Sequence, residues 1–451
     1  MNAGTALAGA GGVLLVGATL VDAFEVMLLP RRVRRRLRFV HVYFRVTWRA
    51  WAFASRAMRA GTRGTFLSLY GPLSMLGLFT TWTVALVTGF GVIHWELARG
   101  ATPGAPSLLT QLYFSGVTFF TLGYGDVTAH THAGRVLSVV EAGLGFGLIA
   151  VVIGYLPVLY QLFSRRESYV IRLDARAGSP PTAAELIARH AVSTQGLESL
   201  GVLLNEWEHW AAELLESHLS YPMLGYYRSQ HDNESWLAAL TTVLDACALL
   251  TLGLRDEPEE TPLVATPDST GARLAAQLPT FQARMTFATA RLAVVEMARA
   301  LHGGSADTAT PDGTASGADD AGGLDAAQLH DTEALPAPTP LPARDHPGLP
   351  ERLPPRALAR LDARLGEVGL AIGGEQGGIA ERLAVLRRTY EPFVEALAAR
   401  LLLPVPRWVA YDDATDNWQQ SVGGQDAKRI LDAAEAADAA ESAAVAGTPA
   451  D

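Results

Sequence analysis

From Phe66 to Trp95 the chain runs without a single Asp, Glu, Lys or Arg. A helix of that length outruns the hydrocarbon core of a bilayer, roughly 30 Å, which about 20 apolar residues cover. Two more stretches meet the same requirement. Leu7–Leu29 is apolar apart from Asp22 and Glu25, and Val136–Phe163 carries one acid, Glu141. A fourth apolar stretch, Ser107–Phe120, is too short to cross and has the length of a re-entrant segment. The expected fold class is mainly α: integral membrane helices around a re-entrant helix, followed by an all-α soluble domain.

Charge divides the chain the same way. Residues 1–166 hold 15 Arg, no Lys and 5 acids, whereas 167–451 hold 21 basic and 41 acidic residues. An apolar-basic half is thus joined to a soluble acidic one, which excludes a disordered chain and a single soluble enzyme. The lone Cys247 permits neither an intrachain disulfide nor a cysteine metal cluster within one chain. The first apolar stretch lacks a basic n-region and is followed by Pro30 and arginines, so it reads as a retained helix and not as a signal peptide.

Arginine placement orients the spans. Arg31, Arg32, Arg34, Arg35, Arg36 and Arg38 follow the first, and Arg45, Arg49, Arg56, Arg59 and Arg63 precede the second. Arg165 and Arg166 follow the third. The positive-inside rule places all of them in the cytoplasm of a plasma (inner) membrane protein, with the N-terminus outside and the acidic half inside. The run is not a voltage sensor, because its arginines are nearly consecutive and lie outside any apolar span. It reads as an anchor on anionic lipids, with 39–60 along the interface. No nucleic-acid partner is expected.

Directly after the re-entrant segment stand Thr121, Leu122, Gly123, Tyr124, Gly125 and Asp126. Backbone carbonyls can face one way along a strand only if alternate residues take left-handed or other unusual dihedrals, which glycine permits cheaply. Gly123 and Gly125 supply those positions, and the Thr121 hydroxyl can add an oxygen at one end. Non-helical backbone at membrane depth is tolerable only where it lines a cavity or is packed in protein.

This sequence resembles the selectivity filter of the bacterial tetrameric potassium channel family, in the form with two helices flanking a pore loop. The likeness runs from about Phe66 to Phe163. It implies that the carbonyls of Thr121, Leu122, Gly123 and Tyr124, with the Thr121 hydroxyl, bind dehydrated potassium as permeant ion. One filter per chain then requires a homotetramer. Tyr113 and Phe114 fall where the family carries an aromatic pair bracing the filter, and Asp126 matches the acid at its outer mouth. Leu122 stands where valine is commonest. Val117 stands where some members carry a glutamate that pairs with the outer aspartate, so the alternative partners of Asp126 are Tyr113 and an aromatic-lined water. Gly145 falls at the family's gating-hinge position, although glycines in membrane helices also serve close packing. Pro157 must break a backbone hydrogen bond, and Tyr155 and Leu159 are the expected narrowest ring of a gate. Glu141, a carboxylate inside a span, is expected to hydrogen-bond the back of the pore helix.

The soluble half reads as helices at Thr182–Ala191, Gly196–His218, Trp236–Leu254, Leu274–Leu301 and Leu358–Leu403, from apolar spacing and start signals. No glycine-rich strand-to-helix fingerprint is present, so a nucleotide-binding α/β domain is not expected. His209, Glu213 and Glu216 share a helical face and form a speculative divalent-cation site, with polar residues fixing helix packing as the alternative.

The expected organisation is an N-terminal transmembrane helix (1–30), a basic interfacial segment (31–65), a pore domain (66–163), a helical cytoplasmic domain (164–302), a flexible linker (303–355), a second helical segment (356–423) and an acidic alanine-rich tail (424–451). Residues 174–181 would link the domain to the inner helix. Most of the chain is similar to uncharacterised bacterial potassium-channel-like proteins with a helical cytoplasmic extension, a likeness that leaves the regulatory ligand open. The reading is a passive potassium channel gated by the helical cytoplasmic domain through the inner helix, not an enzyme, with no cofactor. Two alternatives stay open: a potassium-sensing signalling protein and a poorly selective cation channel.

Overall fold

The computed structural model describes residues 3–27, 39–101, 106–229, 234–252, 279–302, 351–370 and 378–410. It divides into two compact units, 1–165 with 216–228, and 166–215 with 229–451. Among the described residues there is no strand. Three helices are long and apolar enough to cross a membrane, within Leu7–Met27, Gly61–Arg99 and His132–Ala177. This chain is a mainly α membrane protein with a helical extension.

In the first unit, α1 (Ala3–Met27) packs along α4 (Tyr70–Ala101). The two backbones approach closely at Gly12 and Gly89: a Cβ on Gly12 would stand 2.8 Å from the Gly89 carbonyl oxygen. Small residues serve helix contact in this way where no hydrophobic effect drives it. Asp22, a carboxylate in an apolar helix, accepts the Trp82 indole N–H at 2.9 Å. The run Arg31–Arg38 lies outside the described residues.

Helix α2 (Phe39–Arg56) carries three sectors. Phe44, Trp48 and Ser55 are buried, Arg45, Arg49 and Arg56 are exposed, and Val42, Val46 and Phe53 form an exposed apolar strip beside the arginines. A short α3 (Ala60–Ser68) leads into α4, the chain turning at Leu69. Trp51 stacks on Phe66 with ring centres 4.3 Å apart, and Trp48 meets Tyr70 at 4.8 Å.

Helix α5 (Leu108–Phe119) is the short apolar helix. Its first turn is capped by Ser107, whose hydroxyl accepts the Thr110 N–H at 3.2 Å. Helix α6 (His132–Ala177) runs 46 residues, about 70 Å at 1.5 Å per residue, so it must continue beyond any bilayer it crosses. Pro157 sits inside it without ending it. The expected link at 174–181 is thus helix to Ala177, then a turn in which Gly178 takes φ +85°.

The second unit is a helical bundle around α9 (Trp236–Leu252), preceded in sequence by α7 (Ala183–His190) and α8 (Thr194–Ser220). Residues 236–250 of α9 are all buried. A helix apolar all round belongs in the middle of a bundle. It packs against α7, α10 (Thr280–His302), α12 (Gly378–Arg388) and α13 (Glu391–Leu401), while α11 (Pro355–Gly366) packs on α7. Both helical segments foreseen as separate therefore share one core.

Two boundaries differ from expectation. Residues 351–354 were expected in a flexible linker, yet Leu353 is buried and Arg352 is pinned inside the bundle. Arg352 pairs with Asp245 and with Glu391, and the Tyr390 hydroxyl donates to Asp245 at 2.6 Å. The remainder of that linker and the acidic tail lie outside the described residues. The second difference is that 216–228, expected in the cytoplasmic domain, belongs to the membrane unit.

Candidate functional site

The end of α5 is where the backbone becomes unusual. The Thr121 N–H bonds the Thr118 carbonyl at 3.0 Å and the Leu122 N–H bonds the Val117 carbonyl at 2.8 Å, closing the helix. Thr121 takes φ +56°, Gly123 +64° and Gly125 +79°. Leu122 and Tyr124 are not in the left-handed region. Left-handed dihedrals therefore alternate through 121–125, the pattern that successive carbonyls facing one way require. Thr121 is a β-branched residue held at positive φ, a strained geometry that costs of order 1–3 kcal/mol and persists only where surroundings enforce it. No atom stands within 4 Å of a Cβ built on Gly123 or Gly125, so dihedral angle and not crowding demands glycine there.

Residues 121–126 are exposed on the single chain, with Leu122 at 53% and Tyr124 at 66%. Tyr113 donates its hydroxyl to Asp126 at 2.9 Å, tying the far end of the segment back to α5. Phe114 is buried and meets the His94 ring edge-on at 4.9 Å.

Behind α5 lies a buried polar cluster. Glu141 of α6 is wholly buried, lies 3.0 Å from His94 Nε2 of α4, and accepts the Ser115 hydroxyl of α5. The Ser115 hydroxyl is also 2.9 Å from the Val87 carbonyl. Three helices thus meet at one carboxylate. The carboxylate was visible in sequence, but His94 and Ser115 were not assigned to it. The available signal was His94 itself, a titratable side chain in an otherwise charge-free span, which must find a polar partner.

Gly145 faces the end of α5. A Cβ there would collide with the Phe119 carbonyl oxygen and come 3.1 Å from the Phe119 ring. Close packing is therefore a geometric necessity at Gly145, whereas Cβ atoms on Gly143, Gly147 and Gly154 would meet nothing within 4 Å.

Tyr155 and Leu159, the expected narrowest ring, are buried within the single chain at 6% and 2% exposure. Tyr155 meets Phe79 at 6.3 Å and Tyr221 at 5.6 Å, and its hydroxyl donates to the Met223 sulfur at 3.6 Å. The open face of α6 instead carries Phe146, Ile149, Ile153, Leu156 and Tyr160, spaced three and four apart, with Pro157 exposed beside it.

The cation site expected on α8 is not assembled among the described residues. Among the described residues no three His, Cys, Asp or Glu side chains come together as metal ligands. His209, Glu213 and Glu216 are all exposed, and His209 Nδ1 is 2.8 Å from the Asn205 carbonyl of its own helix.

Residues 79–161 match a family model described as an ion channel. The chain is also similar to the uncharacterized membrane protein YdjJ of Bacillus subtilis (strain 168), with 22% identity over 212 residues. That alignment covers 46% of this chain and 61% of the relative, so this chain spans less than two thirds of that protein's length. No solved structure matches. Residues 79–161, from α4 through α5 into α6, thus resemble an ion-channel domain, set in a membrane protein.

Proposed function

We propose that the chain is one subunit of a potassium-selective channel in which four copies surround a pore lined by the carbonyls of Thr121, Leu122, Gly123 and Tyr124. The alternation of left-handed dihedrals at 121, 123 and 125 carries this reading. Helical or extended backbone would point successive carbonyls otherwise, and water-free coordination of a cation needs them stacked. The short helix α5 aims its C-terminal, negative dipole end at the same place. Tyr113 holds Asp126, and Glu141 holds α5 against α6, so the segment is braced at both ends. The exposure of 121–126 on one chain fits a surface that neighbouring copies complete.

In this reading the three-sector helix α2 lies at the cytoplasmic interface, its apolar strip among acyl chains and Arg45, Arg49 and Arg56 at anionic headgroups. The test is potassium flux from proteoliposomes of the full chain, with sodium as comparison ion and Gly123→Asp as control. Potassium flux well above sodium flux, lost in the variant, supports selectivity. Equal fluxes point to an unselective cation pore. Absence of flux under all conditions overturns the reading.

A further inference from the structure

Residues 221–227 stand out because they join the membrane unit from far downstream in the sequence, at the end of α8. The segment is a short 3₁₀ turn, Pro222–Tyr226, with Met223, Leu224 and Tyr226 buried. Its rings reach three membrane-unit helices. Tyr226 stacks on Phe44 at 5.9 Å, meets Trp48 at 5.1 Å and sits edge-on to Tyr70 at 5.4 Å. Tyr227 meets Phe163 of α6 at 5.7 Å and presses on α4 so closely that a Cβ on Gly71 would come 2.8 Å from its ring. Tyr221 and Met223 hold Tyr155, as described above.

These contacts bracket one stretch of α6. Tyr155 and Phe163, two turns apart, are both gripped by the segment, while the part of α6 nearer 121–126 is held otherwise, by Glu141 and by Gly145 against Phe119. The far half of the helix therefore depends on a piece of chain that α8 carries. Five aromatic pairs hold the segment beyond what area burial alone provides. Such a number, split among three helices, also makes a grip that a shift of α8 by one side-chain width would loosen.

We infer that 221–227 is a wedge through which α8 sets the position of the far half of α6, and so sets conduction. The inference rests on the channel reading for its flux consequence, but the mechanical link is testable without it. The decisive variants are Tyr226→Ala, which empties the wedge, and Tyr226→Phe, which keeps the ring. Gly71→Ala is an independent third, pushing the wedge from α4 without altering it.

The full chain in proteoliposomes is read two ways: by potassium flux with the potassium-to-sodium ratio, and by hydrogen exchange along α6. Tyr226→Ala and Gly71→Ala are expected to change flux by about fivefold or more with the ratio unaltered. Exchange at 153–163 should quicken by about tenfold while 134–147 is unmoved, and Tyr226→Phe should behave as wild type. Uniform exchange along α6 and flux within about twofold of wild type in both variants would overturn the wedge. Should Tyr226→Ala fail to fold, Gly71→Ala decides alone. Wild-type protein without flux would defeat the channel reading, and the exchange pattern would still decide the wedge.

Discussion

At residue scale, individual positions make separable demands. Gly123 has open space around it but φ +64°, so Gly123→Ala suffers backbone strain and no clash. Left-handed backbone costs an L-residue about 1–2 kcal/mol, enough to favour another dihedral at this position. The expected outcome is loss of most potassium flux with an unchanged helical circular-dichroism spectrum. Glu141→Leu should instead lower stability by about 1–3 kcal/mol, because it strands His94 in the interior, while the Ser115 hydroxyl keeps the Val87 carbonyl. Thermal unfolding in detergent measures it, and Glu141→Gln, which keeps the shape, should lose less.

In the bundle, burial pushes the Asp245 carboxyl up against the pull of Arg352, while the Asp245 charge outweighs burial and holds Arg352 above its ordinary value. Removing one partner of such a pair costs about 3–5 kcal/mol. Arg352→Met should therefore destabilise the bundle far more than the double change with Asp245→Asn, as a double-mutant cycle in chemical denaturation would read.

At the scale of elements, the question is what α6 is free to do. Gly145 was open to two readings, hinge or close packing, and its contact with the Phe119 carbonyl supplies a packing reason sufficient by itself. Gly145→Ala should overpack α5 against α6 at about 1–3 kcal/mol. Gly154→Ala meets no neighbour in the chain and should gain up to about 1 kcal/mol of helix propensity. Comparing the melting temperatures of the two variants separates packing from intrinsic helix preference. A bend at Gly145 would further need α6 to leave Phe119, whereas the half beyond Tyr155 is held by the downstream wedge.

For the whole molecule, two predictions follow from surfaces and from charge. Under the channel reading, copies of the chain cover the exposed face of α6 and the exposed 121–126 segment, and the detergent-solubilised protein should have roughly four times the 48.0 kDa mass of one chain by light scattering. Glu185 joins α7 to α11 across the bundle through Arg364, at 2.7 Å. Burial pushes its carboxyl up, but Arg364 and then Arg189 outweigh that and hold it below the usual carboxylate range. A carboxyl depressed on folding stabilises fully above its unfolded value of about 4.3 and loses that contribution as pH falls below it. The stability gap between wild type and Glu185→Gln should therefore narrow on acidification from neutrality to below pH 4.

The sequence by itself determined the three spans, the short helix and the place of the unusual backbone. These follow from local quantities: the length of an apolar run against bilayer thickness, and glycine at alternate positions. Tertiary structure decided which faces those helices show. Tyr155 and Leu159 have the apolar character of pore-lining residues, and only packing reveals that both are buried, Tyr155 against Tyr221 and Met223. Nothing local marks Arg352 as core either, because an arginine between linker and helix is buried only where Asp245, more than a hundred residues earlier, stands ready to receive it. The same holds for His94 and Ser115, whose meeting with Glu141 depends on three helices brought together by contacts distant in sequence. Local periodicity fixes an element and its length, but partner choice is a property of the assembled core.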